Sequence, residues 1–422
     1  ANPSGKRGAA SSCAVGGRLG MAWLGRLVLL CLIGAHHGLV HHGLVLRRGG
    51  AARRSVVALA APPLRPGSVA AVLSLNAGGM TARKIAAAQS ALGDVHVYAT
   101  ASLAEAKAAA DAIVEKGYAT VVVGGGDGTL AAAIRDICAA RRDFGEAEPL
   151  AGMPRFAPLP LGTGNAVARF ACGPGYGRFK SVRGVSAALK TIVELTKDEA
   201  TAGPREVSVP LMRVDSGELC FLAGCGFDAF LLNDYARLRE RAPPVLKSTV
   251  SSVFGYFVAT ATATLPQYLR GKRNMRVRIS AENASYVDPR RGDSAMRVVR
   301  AGPANSGERT VLYEGTATIV AAGSTPYYGG GMRLFPFARS VPAGAAPGQM
   351  HLRVARMSPW RFVPNVLGIF RGSFRSPNDA LDFMGPNFTV ELLDGAVYPF
   401  QHSGDTDSLA RRDAFTLDVA GN

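Results

Sequence analysis

Apolar and polar residues alternate with two different periods along residues 68–203. Short aliphatic runs such as VAAVLSL and VVV are typical of strands buried on both faces of a sheet. Between them, as in residues 103–114, apolar residues return every three or four positions and predict amphipathic helices. Ser102 and Glu105 form a capping-box signature at the start of that helix, and Gly117 is an end signal. The order β-α-β-α-β predicts a parallel sheet covered by helices on both faces.

Two glycine-rich turns follow consecutive predicted strands. VVVGGGDGTL occupies residues 121–130, and PLPLGTGNAVARF occupies residues 158–170. Backbone N–H groups in such turns can approach phosphate oxygens closely, and the following helix adds its positive N-terminal end. Asp127 lies inside the first turn, where a carboxylate repels phosphate unless a cation lies between them or it handles a proton. Loops after adjacent parallel strands meet at one edge of the sheet, so we expect both turns to line one crevice.

The pattern changes beyond about residue 203. Segments such as REVSVPLMRV, EGTATIVAAG and FTVELL are short and often alternate, which predicts a mainly antiparallel β domain. Helices are expected at residues 229–240 and around residues 250–258, and the polar, aperiodic residues 282–309 are expected to be a surface insertion. The predicted organisation is a targeting segment (1–67), an α/β nucleotide domain (68–203) and a β-sandwich domain (204–422) whose last residues can return to the first domain.

The N-terminal segment is basic and free of acidic residues. Residues 1–66 carry nine Lys and Arg, and the first acid of the chain is Asp94. The apolar run at residues 27–35 is too short to cross a bilayer. We therefore expect a transit-like segment that directs the chain to a plastid or a mitochondrion, with peripheral membrane association and no transmembrane span in the folded part. The alternative location is the cytoplasmic membrane surface.

Composition narrows the classes of partner. The formal net charge is +17, and outside the leader the positive charge is diffuse and lacks basic clusters interleaved with aromatic residues. This distribution argues against nucleic acid and suits anionic phosphates or an anionic membrane surface. The six cysteines show no CxxC pair and no zinc-like spacing, which favours a reducing compartment.

Other phosphate-binding motifs fit the first turn less well. Gly126, Gly128 and Ala131 match the dinucleotide fingerprint GxGxxA, but Asp127 places a like charge against a pyrophosphate. The ribose-binding acid of that motif would have to be Glu146 or Glu148, which lie in a polar loop. No GxxxxGK[ST] sequence occurs, so a Walker-A loop is excluded.

The two turns together resemble the diacylglycerol kinase catalytic-domain superfamily, which includes sphingosine and ceramide kinases. VVVGGGDGTL and PLPLGTGNAVARF carry the resemblance, and GCGFDA, YYGGGMRLFPFA and a terminal glycine-acid motif follow in the family's order through residues 69–422. The resemblance implies a parallel-sheet α/β nucleotide domain like that of NAD kinase, followed by a mainly antiparallel β-sandwich domain that faces the lipid. It also implies ATP and Mg²⁺ as cofactors.

The resemblance assigns roles to individual residues. Asp127 would anchor Mg²⁺ and take part in catalysis, and Asp228 in GFDA would hold the lipid head group. From its residue type alone, Asp228 is equally suited to cap a helix that starts at Ala229. The nucleotide-binding positions that the resemblance implies are Asn76, Thr100, Gly125, Gly126, Asp127, Gly128, Thr129, Gly162, Thr163 and Asn165.

The C-terminal motif departs from the family pattern. The family typically has Asp-Gly-Glu, whose last carboxylate is the base for the acceptor hydroxyl, and this chain has Ser403, Gly404 and Asp405. Asp405 is therefore the expected base, with Asp407 as a possible substitute, and His402 is expected to be a bystander. Where bacterial members hold a structural Mg²⁺ in an Asp-Gly turn, this chain has Pro347 and Gly348, so that accessory site is expected to be absent.

These observations predict an ATP- and Mg²⁺-dependent lipid kinase that phosphorylates a hydroxyl of diacylglycerol or of a sphingoid-type lipid. The alternatives are a soluble-substrate kinase of the NAD-kinase type and a catalytically silent protein that binds lipid or nucleotide. The segment SPWRFVPNVLGIFRGSF mixes aromatic residues with arginines and predicts an amphipathic helix, either at a membrane interface or packed on the core. The sequence does not identify the lipid or the oligomeric state.

Overall fold

The structure is a computed structural model that describes most of the chain from residue 64 onward. The described residues are 64–143, 150, 152–162, 164–197, 207–250, 253–271, 274–288, 296–300, 309–338, 348–396, 398–403, 411–412 and 414–421. The predicted targeting segment up to residue 63, together with Thr163, Pro347, Asp405 and Asp407, lies outside the described residues. The three predicted domain boundaries stay predictions.

A parallel sheet forms the centre of the first half. Its strands within the described residues are β1 (Arg65–Ser74), β2 (Val97–Thr100), β3 (Tyr118–Gly125) and β4 (Arg155–Pro160). They lie in the order β2-β1-β3-β4, and every neighbouring pair is parallel. Val121, Val122 and Val123 of β3 are at most 2% exposed, as expected for a strand covered on both faces. The predicted α/β class is confirmed.

Helices pack on both faces of this sheet. They are α1 (Ala82–Leu92), α2 (Leu103–Lys116), α3 (Asp127–Asp143), α4 (Ala166–Cys172) and α5 (Val182–Lys197). The predicted limits of α2 are confirmed: the Ser102 hydroxyl accepts a hydrogen bond from the Glu105 amide at 3.2 Å, and Gly117 ends the helix in the left-handed conformation. Ala110 and Ile113 of α2 face one side of the sheet, and Val185 and Leu189 of α5 face the other.

The second half consists of two antiparallel sheets, which confirms the predicted β-sandwich class. In the described part of the chain its strands are β5 (Leu211–Val214), β6 (Leu219–Cys220), β7 (Leu222–Gly226), β8 (Met275–Ala281), β9 (Asn283–Val287), β10 (Met296–Arg300), β11 (Thr310–Ala317), β12 (Ile319–Gly323), β13 (Met350–Ala355), β14 (Ala380–Gly385), β15 (Asn387–Leu392), β16 (Tyr398–His402), β17 (Arg411–Arg412) and β18 (Ala414–Gly421). One sheet has the order β10-β9-β14-β13-β12-β7-β16-β17, and the other has β11-β8-β15-β18-β5-β6. Apolar side chains from both sheets, such as Leu352, Phe388, Phe400 and Phe415, fill the space between them.

The prediction of a surface insertion at residues 282–309 is wrong for part of that segment. Strand β9 pairs with β14, and β10 pairs with β9, so both strands extend the larger sheet. Ala284 and Val287 of β9 are buried, whereas Asn283 and Tyr286 are more exposed. Five residues with two apolar positions give too weak a period to predict a strand, and pairing with β14 decides the conformation.

Helices cover one end and the outer face of the larger sheet. They are α6 (Phe227–Arg241), α7 (Lys247–Val250), α8 (Val253–Ala259), α9 (Leu265–Leu269) and α10 (Pro359–Arg371), with a π-helical turn at Thr260–Thr264 between α8 and α9. The Phe227 ring of α6 meets the Tyr268 ring of α9 edge to face. It also contacts the Phe362 ring of α10 in a tilted arrangement. No helix among the described residues is long and apolar enough to cross a membrane.

A buried ionic cluster joins two strands on the outer face of the larger sheet. The Asp382 carboxylate accepts hydrogen bonds from Arg353 Nε at 2.7 Å and Arg353 Nη2 at 3.0 Å, and it lies 2.8 Å from His351 Nε2. All three side chains are at most 3% exposed. The Arg353 guanidinium and His351 hold the pKa of Asp382 below its usual range although burial opposes this. The carboxyl is therefore charged in the folded protein.

We expect Asp382→Asn to lower the free energy of unfolding by about 3–5 kcal/mol, because it leaves the buried Arg353 charge without a counter-ion. Urea denaturation at neutral pH measures this. The matched control is Glu314→Gln, which removes an exposed partner of Arg278 and should cause a much smaller loss. Equal losses for the two variants would contradict the structural importance of the buried cluster.

Candidate active site

The carboxyl ends of the four parallel strands form one edge, and the loops that leave them meet there. The loop after β1 is tied to the end of β2, since the Leu75 amide donates to the Thr100 carbonyl at 2.9 Å and Asn76 Nδ2 donates to the Ala101 carbonyl at 2.9 Å. The Thr100 side chain is buried, whereas the Asn76 region is exposed. Two of the predicted nucleotide-binding residues thus lie side by side at the edge of the sheet.

The two glycine turns are in direct backbone contact. The amides of Leu161 and Gly162 both donate to the Gly125 carbonyl, at 3.0 and 2.9 Å. A Cβ atom on Gly162 would lie 2.3 Å from the Gly126 Cα, so no side chain fits between the turns. Gly125 is equally constrained, because its Cβ would lie 2.4 Å from that of Thr129. The structure brings the two loops together as expected from their positions after adjacent strands.

Asp127 joins the first turn to the helix that follows the second. Its Oδ2 accepts a hydrogen bond from the Ala166 amide at 2.8 Å, and its Oδ1 accepts one from the Val167 amide at 3.0 Å. These amides belong to the first turn of α4, where a carboxylate is favoured by unpaired N–H groups and by the helix dipole. Burial raises the pKa of Asp127, and the two amide hydrogen bonds oppose that shift. The carboxylate therefore has a structural partner that the sequence did not reveal.

Asn165 closes the second turn on itself. Its backbone is left-handed, with φ 52°, and its side chain is 2% exposed. Oδ1 accepts from the Gly162 amide at 3.0 Å, while Nδ2 donates to the Gly162 carbonyl. Asparagine tolerates this backbone conformation and supplies both a donor and an acceptor, which explains its presence at this position. Thr163, inside the same turn, lies outside the described residues.

Among the described residues at this edge, Asp127 is the candidate protein ligand for magnesium. Among the described residues no three His, Cys, Asp or Glu side chains come together as a metal site. Mg²⁺ in phosphoryl-transfer sites is commonly held by one or two carboxylates together with substrate phosphates and water. Asp127 fits that requirement, because each of its oxygens accepts one amide hydrogen bond and keeps a further lone pair. Its role as a metal anchor stays a prediction.

The end of strand β16 in the β domain reaches the first glycine turn. The Ser403 amide donates to the Leu222 carbonyl at 2.7 Å, and its carbonyl oxygen lies 3.6 Å from the position of a Cβ on Gly128. Ser403 has φ 52°, which turns the chain out of β16 at this point. Asp405 follows two residues later, outside the described residues, so its role as the base stays a prediction. His402 Nε2 lies 2.6 Å from the Glu218 carboxylate.

The predicted capping role of Asp228 is wrong. Helix α6 begins at Phe227, not at residue 229, and its N-cap is Gly226 with φ 108°. The helix begins there because the Phe227 amide donates to the Thr318 carbonyl of a distant strand end at 2.8 Å. Asp228 is instead a buried acceptor inside the first turn, and its Oδ2 accepts from the Tyr328 hydroxyl at 2.9 Å and from Gln401 Nε2 at 3.2 Å.

Tyr328 and Gln401 are site residues that the sequence did not predict. Tyr328 lies within the motif YYGGGMRLFPFA, and Gln401 lies just before the C-terminal glycine-acid motif, but no spacing relates either of them to Asp228. The two partners are 100 and 173 residues away from that acid in sequence. The motif positions were a weak signal, and only the sheet topology brings them together.

Residues 72–201 match the model of the diacylglycerol kinase catalytic domain. The match confirms the family resemblance, and it contains both glycine turns and the parallel sheet apart from the first seven residues of β1.

Two solved structures, both from Bacillus anthracis str. Sterne, are similar to this chain. One is a "putative diacylglycerol kinase", 15% identical, with a TM-score of 0.48, covering 84% of this chain and 95% of that chain. The other is a diacylglycerol kinase, 16% identical, with a TM-score of 0.46 and the same shares covered. No similar sequence was found among curated proteins.

An apolar cavity of about 40 Å³ lies beside Phe227, on the outer face of the larger sheet. Helix α10 covers it, so this helix packs on the core through part of its surface. At the start of the same helix Trp360 is 79% exposed, which leaves an aromatic side chain available to a membrane surface. The apolar lining includes Phe227, Tyr268, Leu334, Phe362, Ile369 and Phe374.

We expect Asp127→Asn to lower the free energy of unfolding by about 2 kcal/mol, because an amide offers a single acceptor oxygen to the two α4 amides. Asp136→Asn is the matched control on the same helix, since within the described residues Asp136 pairs with the neighbouring, exposed Arg135 and its loss should be small. Chemical denaturation of both variants measures the difference. A stable Asp127→Asn variant would contradict the structural role of the carboxylate.

We expect Gly162→Ala to force the two glycine turns apart, because the added methyl group overlaps the Gly126 backbone. The free energy of unfolding should fall by about 1–3 kcal/mol, and the Kd for ATP should rise. Gly177→Ala is the control, since a Cβ there meets no atom within 4 Å. Calorimetry with ATP and thermal unfolding give the two readouts, and unchanged ATP binding in Gly162→Ala would count against these turns as the nucleotide site.

Proposed function

We propose that this chain is an ATP- and Mg²⁺-dependent lipid kinase that phosphorylates a hydroxyl of diacylglycerol or of a sphingoid-type lipid. The observation that carries the proposal is the meeting of three elements at one edge. The turns at Gly126 and Gly162 touch, and Ser403, at the end of the β domain's strand β16, lies against Gly128 of the first turn. A nucleotide site and an acceptor domain are therefore in contact at the glycine turns.

The glycine turns are suited to hold the phosphates. Side chains are absent where Gly125, Gly126 and Gly162 pack together, so the two turns can lie close enough to hold one chain of phosphates. Helix α3 begins at Asp127, and its N-terminal end adds a positive dipole. In phosphoryl transfer most of the catalysis comes from positioning and from neutralising charge, which is what such turns supply.

Mg²⁺, when bound, neutralises charge on the transferring phosphoryl group, and Asp127 is the described residue that would hold it. The acceptor hydroxyl must lose a proton as its oxygen attacks phosphorus. Asp405 is the proposed base that takes this proton. Support for this role comes from Ser403, two residues earlier, whose carbonyl oxygen lies against Gly128 of the phosphate turn.

The buried acid Asp228 supports an acceptor with a polar head group. Asp228 Oδ1 is buried with no hydrogen-bond partner in the described part of the chain, so it can accept a donor from a head group. Phe227, the adjacent residue, lines the apolar cavity. The unpartnered oxygen therefore suits the hydroxyl or amino group of a lipid head, whereas the cavity of about 40 Å³ is too small to hold an acyl chain.

Peripheral membrane association is part of the same proposal. The exposed Trp360 lies at the start of α10, where an aromatic ring suits a membrane interface, and the neighbouring Arg361 pairs with Asp379 at 2.7 Å. For localisation we keep the proposal of a plastid or a mitochondrion, supported by the acid-free basic leader, with the cytoplasmic membrane surface as the alternative.

The test is phosphoryl transfer from labelled ATP to a panel of diacylglycerol, sphingosine, ceramide and NAD. We expect a lipid to be labelled, labelling to stop when EDTA removes Mg²⁺, and Asp405→Asn to lower kcat by about 10²–10⁴. Asp407→Asn is the matched control and should stay close to the unsubstituted protein. Labelling of NAD alone would sink the lipid proposal, and ATP binding without transfer to any acceptor would support a catalytically silent protein.

A further inference from the structure

The Asp228 carboxyl lies where three separate parts of the β domain meet. It belongs to the first turn of α6, it faces Tyr328 in the loop after β12, and it faces Gln401 in β16. Tyr328 and Gln401 also contact each other, with 2.9 Å between the tyrosine oxygen and Gln401 Nε2. The three side chains therefore form a closed triangle of hydrogen-bonding groups.

The triangle treats the two carboxylate oxygens differently. Oδ2 accepts both donors, at 2.9 Å from Tyr328 and at 3.2 Å from Gln401. Oδ1 is buried and accepts no hydrogen bond of good geometry within the described residues, although the Ala229 amide in the same helical turn also stabilises the carboxylate. A buried acceptor without a donor is costly, so its presence points to a ligand that completes it.

We propose that Tyr328 and Gln401 are positioning residues: they fix Asp228 so that Oδ1 alone remains to accept a hydrogen bond from the hydroxyl or amino group of the acceptor lipid. This inference rests on the proposed lipid kinase function and adds two residues to it. Neither residue contacts the reacting atoms in this assignment. Both act through Asp228.

Tyr328 is held so that its hydroxyl stays on Asp228. Its amide donates to the Met332 carbonyl at 2.6 Å, which closes the glycine-rich loop. Its ring meets Phe335 edge to face, with centroids 6.0 Å apart, and Phe335 is fully buried. The loop and the ring packing leave the hydroxyl little freedom to move away from the carboxylate.

Gln401 connects the acceptor site to the edge where phosphate is proposed to bind. Its side chain is fully buried, and its backbone pairs with Gly224 of β7. Two residues later in the chain Ser403 turns out of the strand beside Gly128. Residues 401–403 therefore fix the distance between Asp228 and the first glycine turn. In the proposed reaction this distance separates the bound acceptor from the phosphates.

The titratable groups around Asp228 keep their charge state over the pH range in which Asp228 would be protonated. Among the described residues, Cys225 and Tyr328 face the carboxyl, and Tyr256 lies behind Tyr328. Burial raises the pKa of Cys225 and of Tyr328 well above their usual values and that of Tyr256 to about 12, so all three stay neutral between pH 5 and 9. A shift of the acidic limb that appears in Tyr328→Phe and not in a control variant can thus be traced to Asp228.

The sign of the expected pH effect follows from the hydrogen bonds. Burial raises the pKa of Asp228, and the Tyr328 and Gln401 hydrogen bonds lower it by stabilising the carboxylate. Removing the Tyr328 hydroxyl takes away one hydrogen bond that stabilises the carboxylate, so the pKa of Asp228 rises further. The acidic limb of kcat/KM for the lipid should then move to higher pH.

The test is Tyr328→Phe in the full chain, with dioctanoylglycerol in mixed micelles as acceptor. We expect KM for the lipid to rise about tenfold, which corresponds to one lost hydrogen bond, while KM for ATP stays the same. The acidic limb of the kcat/KM profile for the lipid should shift upward in pH. Tyr327→Phe is the matched control: it makes the same substitution at the adjacent position, where the ring lies against Arg333, and should change neither constant.

Gln401→Met keeps the length of the side chain without its donor and provides a second variant if Tyr328→Phe does not fold. It should show the same selective rise in KM for the lipid. If the unsubstituted protein is active and neither variant changes KM for the lipid more than Tyr327→Phe does, the positioning role is overturned while the proposed function stands. If the unsubstituted protein phosphorylates no lipid, the proposed function fails and this inference fails with it.

Discussion

The site depends on one interaction, the pair of hydrogen bonds from the first-turn amides of α4 to the Asp127 carboxylate. Gly126 and Gly162, where the two turns meet, have no side chains that could hold the turns together. The turns must nevertheless stay in backbone contact at these two residues. The carboxylate supplies the missing link, since it reaches from the first turn to the helix after the second. An acid that looks unfavourable for a phosphate site is thus explained first by its helix partner.

Strand β16 connects this link to the rest of the molecule. Successive side chains of a strand point to opposite faces, so Gln401 faces Asp228 while His402 faces Glu218. Ser403 then accepts a hydrogen bond from the Phe221 amide at 3.3 Å and turns the chain toward Gly128. Gln401, His402 and Ser403 therefore link three parts of the molecule. They contact Asp228, Glu218 beside the smaller sheet, and the first glycine turn at Gly128.

Local patterns predicted what is locally determined. The valines before Gly124, and the cap and end of α2 at Ser102 and Gly117, follow from neighbours within a few residues, and the structure agrees. The misses all depend on distant backbone groups: α6 starts early because the Phe227 amide meets the Thr318 carbonyl, and residues 283–287 form a strand because β14 is available beside them. The same reason hid the partner of Asp127, since a backbone amide 39 residues away has no side-chain signature.

The buried cluster of His351, Arg353 and Asp382 is connected to Tyr328 through aromatic contacts. A buried ion cluster adds little net stability compared with apolar residues, but it tolerates few alternative arrangements. His351, held by Asp382, is contacted by the rings of Phe335 and Phe337, with centroids 5.7 and 5.6 Å away. Phe335 in turn packs against Tyr328, the hydroxyl partner of Asp228. The ionic cluster therefore fixes the position of Phe335, against which Tyr328 packs. The position of Asp228 thus depends in part on the pairing of β13 with β14.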